Sequence, residues 1–277
     1  NASGTVLAST VSEAPVAVSV KISDEDLSLQ KKSWEAQIGL SPASGVGDSG
    51  PSGDPDGDGK TNLQEFEAGT HPRGVAALAR YFAEGAAGSF FDCAFALLNP
   101  GSTPANVLLR FLNEDGRVLS HYVNVPAATR RTVEAKGVPG LAPTGAFSTV
   151  IETDVAIIAD RTMSWDGNGY GSHAETAIVA PARTWYLAEG ATHSGFDLYY
   201  CLQNPNAAAT TVTVRYLRPA PLPPITRTYT LAANSRTTIK VNDQDPALAS
   251  TDVSGIVRSN SASLPIIVER AMYLHVA

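Results

Sequence analysis

Arg80-Tyr81-Phe82-Ala83-Glu84-Gly85 returns later in the chain as Trp185-Tyr186-Leu187-Ala188-Glu189-Gly190. The residues downstream of it return as well: Phe91-Asp92-Cys93-Ala94-Phe95-Ala96-Leu97-Leu98-Asn99-Pro100 matches Phe196-Asp197-Leu198-Tyr199-Tyr200-Cys201-Leu202-Gln203-Asn204-Pro205. Tyr81 to Tyr186 and Phe91 to Phe196 span the same offset, and Leu109-Arg110-Phe111-Leu112 keeps it against Val214-Arg215-Tyr216-Leu217. Near the ends, Ile157-Ile158-Ala159-Asp160-Arg161 matches Ile266-Ile267-Val268-Glu269-Arg270 at a slightly longer offset, as a loop insertion would make it. Self-similarity at a fixed spacing means two copies of one structural unit.

Each copy reads as antiparallel β-structure. Val107–Leu112, His121–Val125 and Arg131–Val133 are short apolar segments, matched by Thr211–Tyr216, Thr226–Leu231 and Thr237–Val241, and the last three alternate as half-buried strands do. Turn signals separate them: Asn99-Pro100-Gly101, Glu114-Asp115-Gly116, Asn204-Pro205-Asn206 and Pro223-Pro224. Roughly seven short strands in about 100 residues, without a helical pattern, predict a β-sandwich. The expected fold is mainly β: two tandem immunoglobulin-like antiparallel β-sandwiches at 80–182 and 183–277, preceded by a helix–calcium loop–helix module with its linker at 23–79 and an extended segment at 1–22.

Composition agrees. Among 277 residues, 17% are charged, 43% apolar and 7% aromatic, with 23 Gly and 18 Pro, a mix suited to strands and turns. A net charge of −7 leaves no basic stripe for phosphates, which argues against nucleic-acid binding. No apolar run approaches the roughly 20 residues that span a membrane. A chain beginning at Asn1 suggests a processed product, as removal of a signal peptide would leave. Cys93 and Cys201 fall on opposite faces of equivalent strands in different copies, so a bridge between them is not expected.

The head of the chain differs. Pro15-Val16-Ala17-Val18-Ser19-Val20-Lys21-Ile22 alternates like a strand but has no sequence neighbour to pair with. Ser23 is a candidate N-cap, Leu27 to Ile38 a helix carrying Trp34, and Leu63 to Ala68 a second short helix stopped by Gly69. Between the helices lies Asp54-Pro55-Asp56-Gly57-Asp58-Gly59-Lys60-Thr61-Asn62-Leu63-Gln64-Glu65. Counted from Asp54, carboxylates occupy positions 1, 3 and 5 (Asp54, Asp56, Asp58), glycine position 6, Lys60 offers its carbonyl at 7, Asn62 stands at 9 and Glu65 at 12. Ca2+ wants about six to eight oxygens, and this spacing wraps a short loop around one ion.

Residues 34–72 resemble the calcium modules of bacterial surface proteins, similar to thrombospondin type 3 and dockerin repeats, which often link extracellular β-domains. Thr61 stands where such loops usually carry an aliphatic residue. The Trp-Tyr-Leu-Ala-Glu-Gly motifs resemble β-sandwich repeats of secreted bacterial proteins, a likeness covering residues 80–277. Both resemblances imply a secreted protein at the bacterial cell surface, where free calcium is abundant.

Chemistry is sparse. His173-Ala174-Glu175 looks like half a zinc motif without its second half. The five histidines are scattered. No Gly-x-Ser-x-Gly elbow and no phosphate-cradling glycine loop is present. Glu84 and Glu189 recur with Arg110, Arg161, Arg215 and Arg270, and paired copies suit structural salt bridges: Glu84 with Arg161 or Arg110, Glu189 with Arg270 or Arg215. No catalytic residue is assigned. Trp165 and Tyr170 flank a polar, Gly-rich loop that could stack a sugar ring. The expectation is a non-catalytic, calcium-stabilised surface or filament subunit, self-associating through strand donation by residues 1–22. The alternative is an adhesin or polysaccharide-binding module of a secreted enzyme.

Overall fold

The computed structural model describes residues 24–141, 145–165 and 171–274. The extended segment expected at 1–22, the N-cap expected at Ser23 and the sugar-stacking Tyr170 lie outside these residues.

Two α-helices, α1 (Asp24–Gln37) and α2 (Asn62–Ala68), precede the strands. Helix α2 begins where Thr61 closes a capping box: its hydroxyl accepts from Gln64 N at 3.4 Å, and Gln64 Oε1 accepts from Thr61 N at 2.8 Å. It ends at Gly69, whose φ of 67° is the left-handed conformation that glycine adopts without strain.

The first half of the remaining chain holds β1 (Arg80–Phe82), β2 (Ala86–Ala87), β3 (Phe91–Asn99), β4 (Ala105–Asn113), β5 (Val118–Val125), β6 (Thr129–Glu134), β7 (Gly145–Thr153), β8 (Ile158–Trp165) and β9 (Gly171–Thr176). They form two antiparallel sheets, β1-β7-β4-β5 with β2 on β7, and β6-β3-β8-β9. The second half holds β10 (Thr184–Leu187), β11 (Phe196–Asn204), β12 (Thr210–Leu217), β13 (Ile225–Leu231), β14 (Ser235–Lys240), β15 (Ser254–Ser259) and β16 (Ile267–Leu274). Its sheets are β10-β15-β12-β13 and β14-β11-β16, again antiparallel.

Each half has one core fed by both of its sheets: Phe95, Phe111, Phe147 and Met163 in the first, Leu202, Tyr216, Val257 and Val268 in the second. Strand β12 alternates buried and exposed as its sequence suggests. Strand β4 does not, being buried along nearly its whole length. Its core face carries Val107, Leu109 and Phe111, while its other face is covered too, Arg110 reaching Glu152 at 2.7 Å and Asn234 of the second half at 3.5 Å. The helices lean on the same half: Trp34, Ile38 and Leu40 bury a small core against Phe66 and Tyr122 of β5. Past α2, His71 N donates to Glu152 at 3.0 Å and Val75 N to the Thr153 carbonyl at 3.1 Å, seaming the linker to β7.

Candidate functional site

The acidic loop brings most of its expected ligands together. Asp54, Asp56 and Asp58 each offer an oxygen within 4.8 Å of the others. Gly57 N and Gly59 N donate to Asp54 Oδ1 and Oδ2 at 2.9 and 3.0 Å, fixing its carboxylate inside the turn. The φ angles of 74° at Gly57 and 91° at Gly59 make that turn possible. Lys60 Nζ lies 3.1 Å from both Asp58 Oδ2 and Glu65 Oε1, so the carboxylates at loop positions 5 and 12 already converge on one positive charge. Glu65 is buried, and its other oxygen accepts the Thr70 hydroxyl. Burial, joined by the nearby charges of Asp58, Glu65 and Asp54, pushes the Asp56 carboxyl up to about 6. Asp56, Asp58, Lys60 and Glu65 share one cavity of about 280 Å³. Such a set of oxygens, crowded by its own repulsion, can hold a hard cation.

Asn62 uses only half of its amide. Its Nδ2 donates to the carbonyls of Asp48 and Gly50, both at 2.7 Å, tying the preceding loop to the start of α2, while its Oδ1, the atom a cation would take, is buried without a hydrogen-bond partner among the described residues. Thr61 is engaged as the cap of α2, which accounts for a hydroxyl residue at that position.

A second cluster lies where the two halves meet. Arg161 of β8 is fully buried and lies 3.0 Å from Glu84, as the recurring acids and arginines predict. It also meets Glu175 of β9 at 3.5 Å and, across the joint, Glu269 of β16 at 3.2 Å. Glu269 Oε2 accepts from Glu84 N at 2.6 Å, Glu84 Oε1 accepts the Tyr273 hydroxyl at 2.7 Å, and His173 Nε2 lies 3.0 Å from Glu84 Oε2. Burial alone would raise the Glu84 carboxyl, but the hydrogen bond to His173 and the charge of Arg161 outweigh it and hold it below the usual range. Burial raises Glu269, which Arg161 only partly offsets and a hydrogen bond with Glu175 reinforces.

The matching pair of the second half, Glu189 and Arg270, also forms, at 3.1 Å, but in the open: Glu189 is 74% exposed. The equivalence in sequence thus conceals a difference in burial. Only the first copy's pair is covered by a neighbour.

His173 and Glu175, singled out as half a zinc motif, serve this cluster. Two residues apart on β9, they share a face, opposite Met163 and Arg161 of β8. Glu269 had a legible signal, since an acid precedes the arginine in both copies, but Asp160 in the first is exposed and Glu269 is buried.

Trp165 ends β8 and packs the joint, meeting Tyr273 edge-on at 5.1 Å and Phe91 at 6.5 Å. Tyr199 adds to the group at 5.9 Å from Tyr273. These rings line a cleft of about 730 Å³ between the halves. Cys93 is a free thiol in the first core, and Cys201 is a free thiol buried at the joint against Ala83 and Ile267.

No protein-family model and no curated protein matches the chain. Among solved structures it is similar to Thermotoga maritima 1070, over 38% of this chain and 95% of that one, at 16% identity and a TM-score of 0.35. It is also similar to the Anabaena sensory rhodopsin transducer, over 33% of this chain and 97% of that one, at 24% identity and a TM-score of 0.28. Likenesses this distant carry no weight for fold or function.

Proposed function

We propose that the chain is a non-catalytic structural protein of the bacterial cell surface, built of two tandem immunoglobulin-like β-sandwiches and a calcium-binding module, and assembling into filaments by strand donation. The buried network around Arg161 carries this reading. Its ionisable groups, Glu84, Glu175, Glu269 and His173, are engaged with one another and with Tyr273 across the joint. A chain that spends its best-buried charges on joining two units is built to keep them in one orientation.

Calcium fits the same purpose. Asp54, Asp56, Asp58 and Glu65 would hold the ion, with the Lys60 carbonyl, and the Lys60 ammonium would yield its place between Asp58 and Glu65. The bound ion would stiffen α2 and the turn before it against the first sandwich.

Strand donation is supported by an unequal pair of sheets. In the first half β8 is followed by β9, whereas in the second half β16 has β11 on one side and, among the described residues, no strand on the other. Residues 15–22, alternating Val16, Val18, Val20 and Ile22, suit such an edge on a neighbouring copy. A head-to-tail contact of this kind does not close on itself unless its rotation does.

Negative-stain electron microscopy of the full chain and of a chain lacking residues 1–22, each in calcium and in EGTA, tests the proposal. Filaments from the full chain and single particles from the deletion are expected. Single particles from both would overturn the assembly reading, and a glycan array would then test the adhesin alternative.

A further inference from the structure

We infer that the cleft between the two halves is a binding site for a small aromatic monocarboxylate. This goes beyond the structural role proposed above and does not depend on it. At about 730 Å³ the cleft falls within the range of roughly 300–1,000 Å³ that small-molecule sites occupy. Its walls are aromatic and apolar: Phe91, Trp165, Tyr199 and Tyr273, with Met163 and Ala271 between them. Phe90 stands at the edge of the same cleft, 53% exposed, a large ring in water beside an apolar space. Flat rings find edge and face partners on such walls.

The polar groups of the cleft decide the ligand's chemistry. Most are already taken. Glu84 is held by Arg161, His173 and Tyr273, the Tyr199 hydroxyl donates to Asp197, and Thr238 donates to Glu114. A polyhydroxylated ligand would therefore find few free partners.

Arg236 of β14 is the exception. It is 5% exposed and lines the cleft, yet it forms no ion pair among the described residues. Its Nη1 donates to the Gly85 carbonyl at a long 3.4 Å, its Nη2 to Cys201 Sγ at 3.3 Å, and its Nε has no acceptor among the described residues. Burial holds the Cys201 thiol up at about 11 despite Arg236, so the sulfur is neutral and supplies no counter-charge. The contrast with Arg161 is direct: one buried guanidinium forms ion pairs with three carboxylates, while the other feels Glu114 and Glu84 only at longer range and forms no ion pair among the described residues. A guanidinium is built to receive a carboxylate on paired N–H groups, and one left desolvated without an anion is costly. The aromatic walls would take the ring and Arg236 the acid.

Isothermal titration calorimetry of the full chain with 2-naphthoate, and with the neutral 2-naphthalenemethanol, tests this, in EGTA as well as in calcium to separate it from the loop. One site per chain is expected, with the acid at least about tenfold tighter than the alcohol. Arg236→Met should bring acid and alcohol to within about threefold of each other by weakening the acid alone. Should that variant fail to fold, Leu274→Glu provides a second: Leu274 is 51% exposed at the cleft, and a carboxylate there should repel the acid and spare the alcohol. Equal binding of acid and alcohol, no binding of either, or stronger binding of glucuronate than of naphthoate would overturn the inference.

Discussion

Arg161 sits out of contact with water and meets Glu84, Glu175 and Glu269, more negative charge than one guanidinium neutralises. The excess is relieved by a proton: Glu269, buried and hydrogen-bonded with Glu175, is raised to about 7, while Glu84 is held below its usual range. The two shifts act on stability in opposite directions. The raised Glu269 contributes stability that is fully present below its unfolded value and is lost as pH rises through its folded one. The lowered Glu84 contributes stability present above its unfolded value and lost as pH falls through its folded one. Melting temperature should therefore fall between about pH 5 and pH 7, and Glu269→Gln, which imitates the protonated acid, should reduce that fall while leaving the acid limb in place. A wild-type melting temperature that rises across this interval would contradict the assignment. Position also separates the two arginines. Arg161→Leu leaves buried carboxylates without a cation and should cost about 3–5 kcal/mol in urea denaturation, whereas Arg270→Leu, on an exposed pair, should cost at most about 1 kcal/mol. Equal losses would mean that burial at the joint contributes nothing.

Helix α2 shows how much a short element depends on its surroundings. At seven residues it is too short to persist alone, and three things hold it: the Thr61–Gln64 box, the Gly69 stop and the contact of Phe66 with Trp34 at 5.2 Å. Thr61→Ala should cost about 1 kcal/mol of local stability. It should appear as faster amide exchange in α2 with unchanged exchange in β4 and β7; unchanged exchange in α2 would show that the cap is idle. Chelation is expected to act on the same element, loosening residues up to Thr70. The linker from His71 should stay protected, because it is bonded to Glu152 and Thr153 independently of the loop. Loss of β-structure on chelation would contradict this. The elements were largely legible in sequence. Turn residues and alternation marked β12, β13 and β14, and the recurring Glu and Arg marked both ion pairs, because these follow from local pattern. What was hidden depends on contact between distant parts. Alternation cannot show that the outer face of β4 is covered, nor that β9 supplies His173 and Glu175 to a charge on β8. Asn62 fits a liganding position by spacing, but that its Nδ2 also ties down the carbonyls of Asp48 and Gly50 is not something spacing reveals.

At the scale of the whole molecule, the two halves share an order of strands but not a set of neighbours. The first half is covered on one side by helices and on another by the second half, where Glu84 and Arg161 are buried, and its sheet β6-β3-β8 also carries β9. The second half buries Glu269, Cys201 and Arg236 at the same joint, but its Glu189 and Arg270 lie open to water, and β16 pairs with β11 on one side and with no strand on the other among the described residues. An unpaired edge is a row of backbone donors and acceptors that another strand can complete, and the proposed donor is the alternating segment 15–22. If neighbouring copies are joined this way, a synthetic peptide of residues 15–22 should compete for β16 and shorten the filaments in proportion to its concentration. A peptide with Val18 and Val20 replaced by proline should not, because proline removes the amide donors that a strand needs. Mean filament length in electron micrographs, measured across a peptide titration, distinguishes the cases. Equal shortening by both peptides would point to a contact made without β-pairing. No effect from either would place the subunit contact away from the edge of β16.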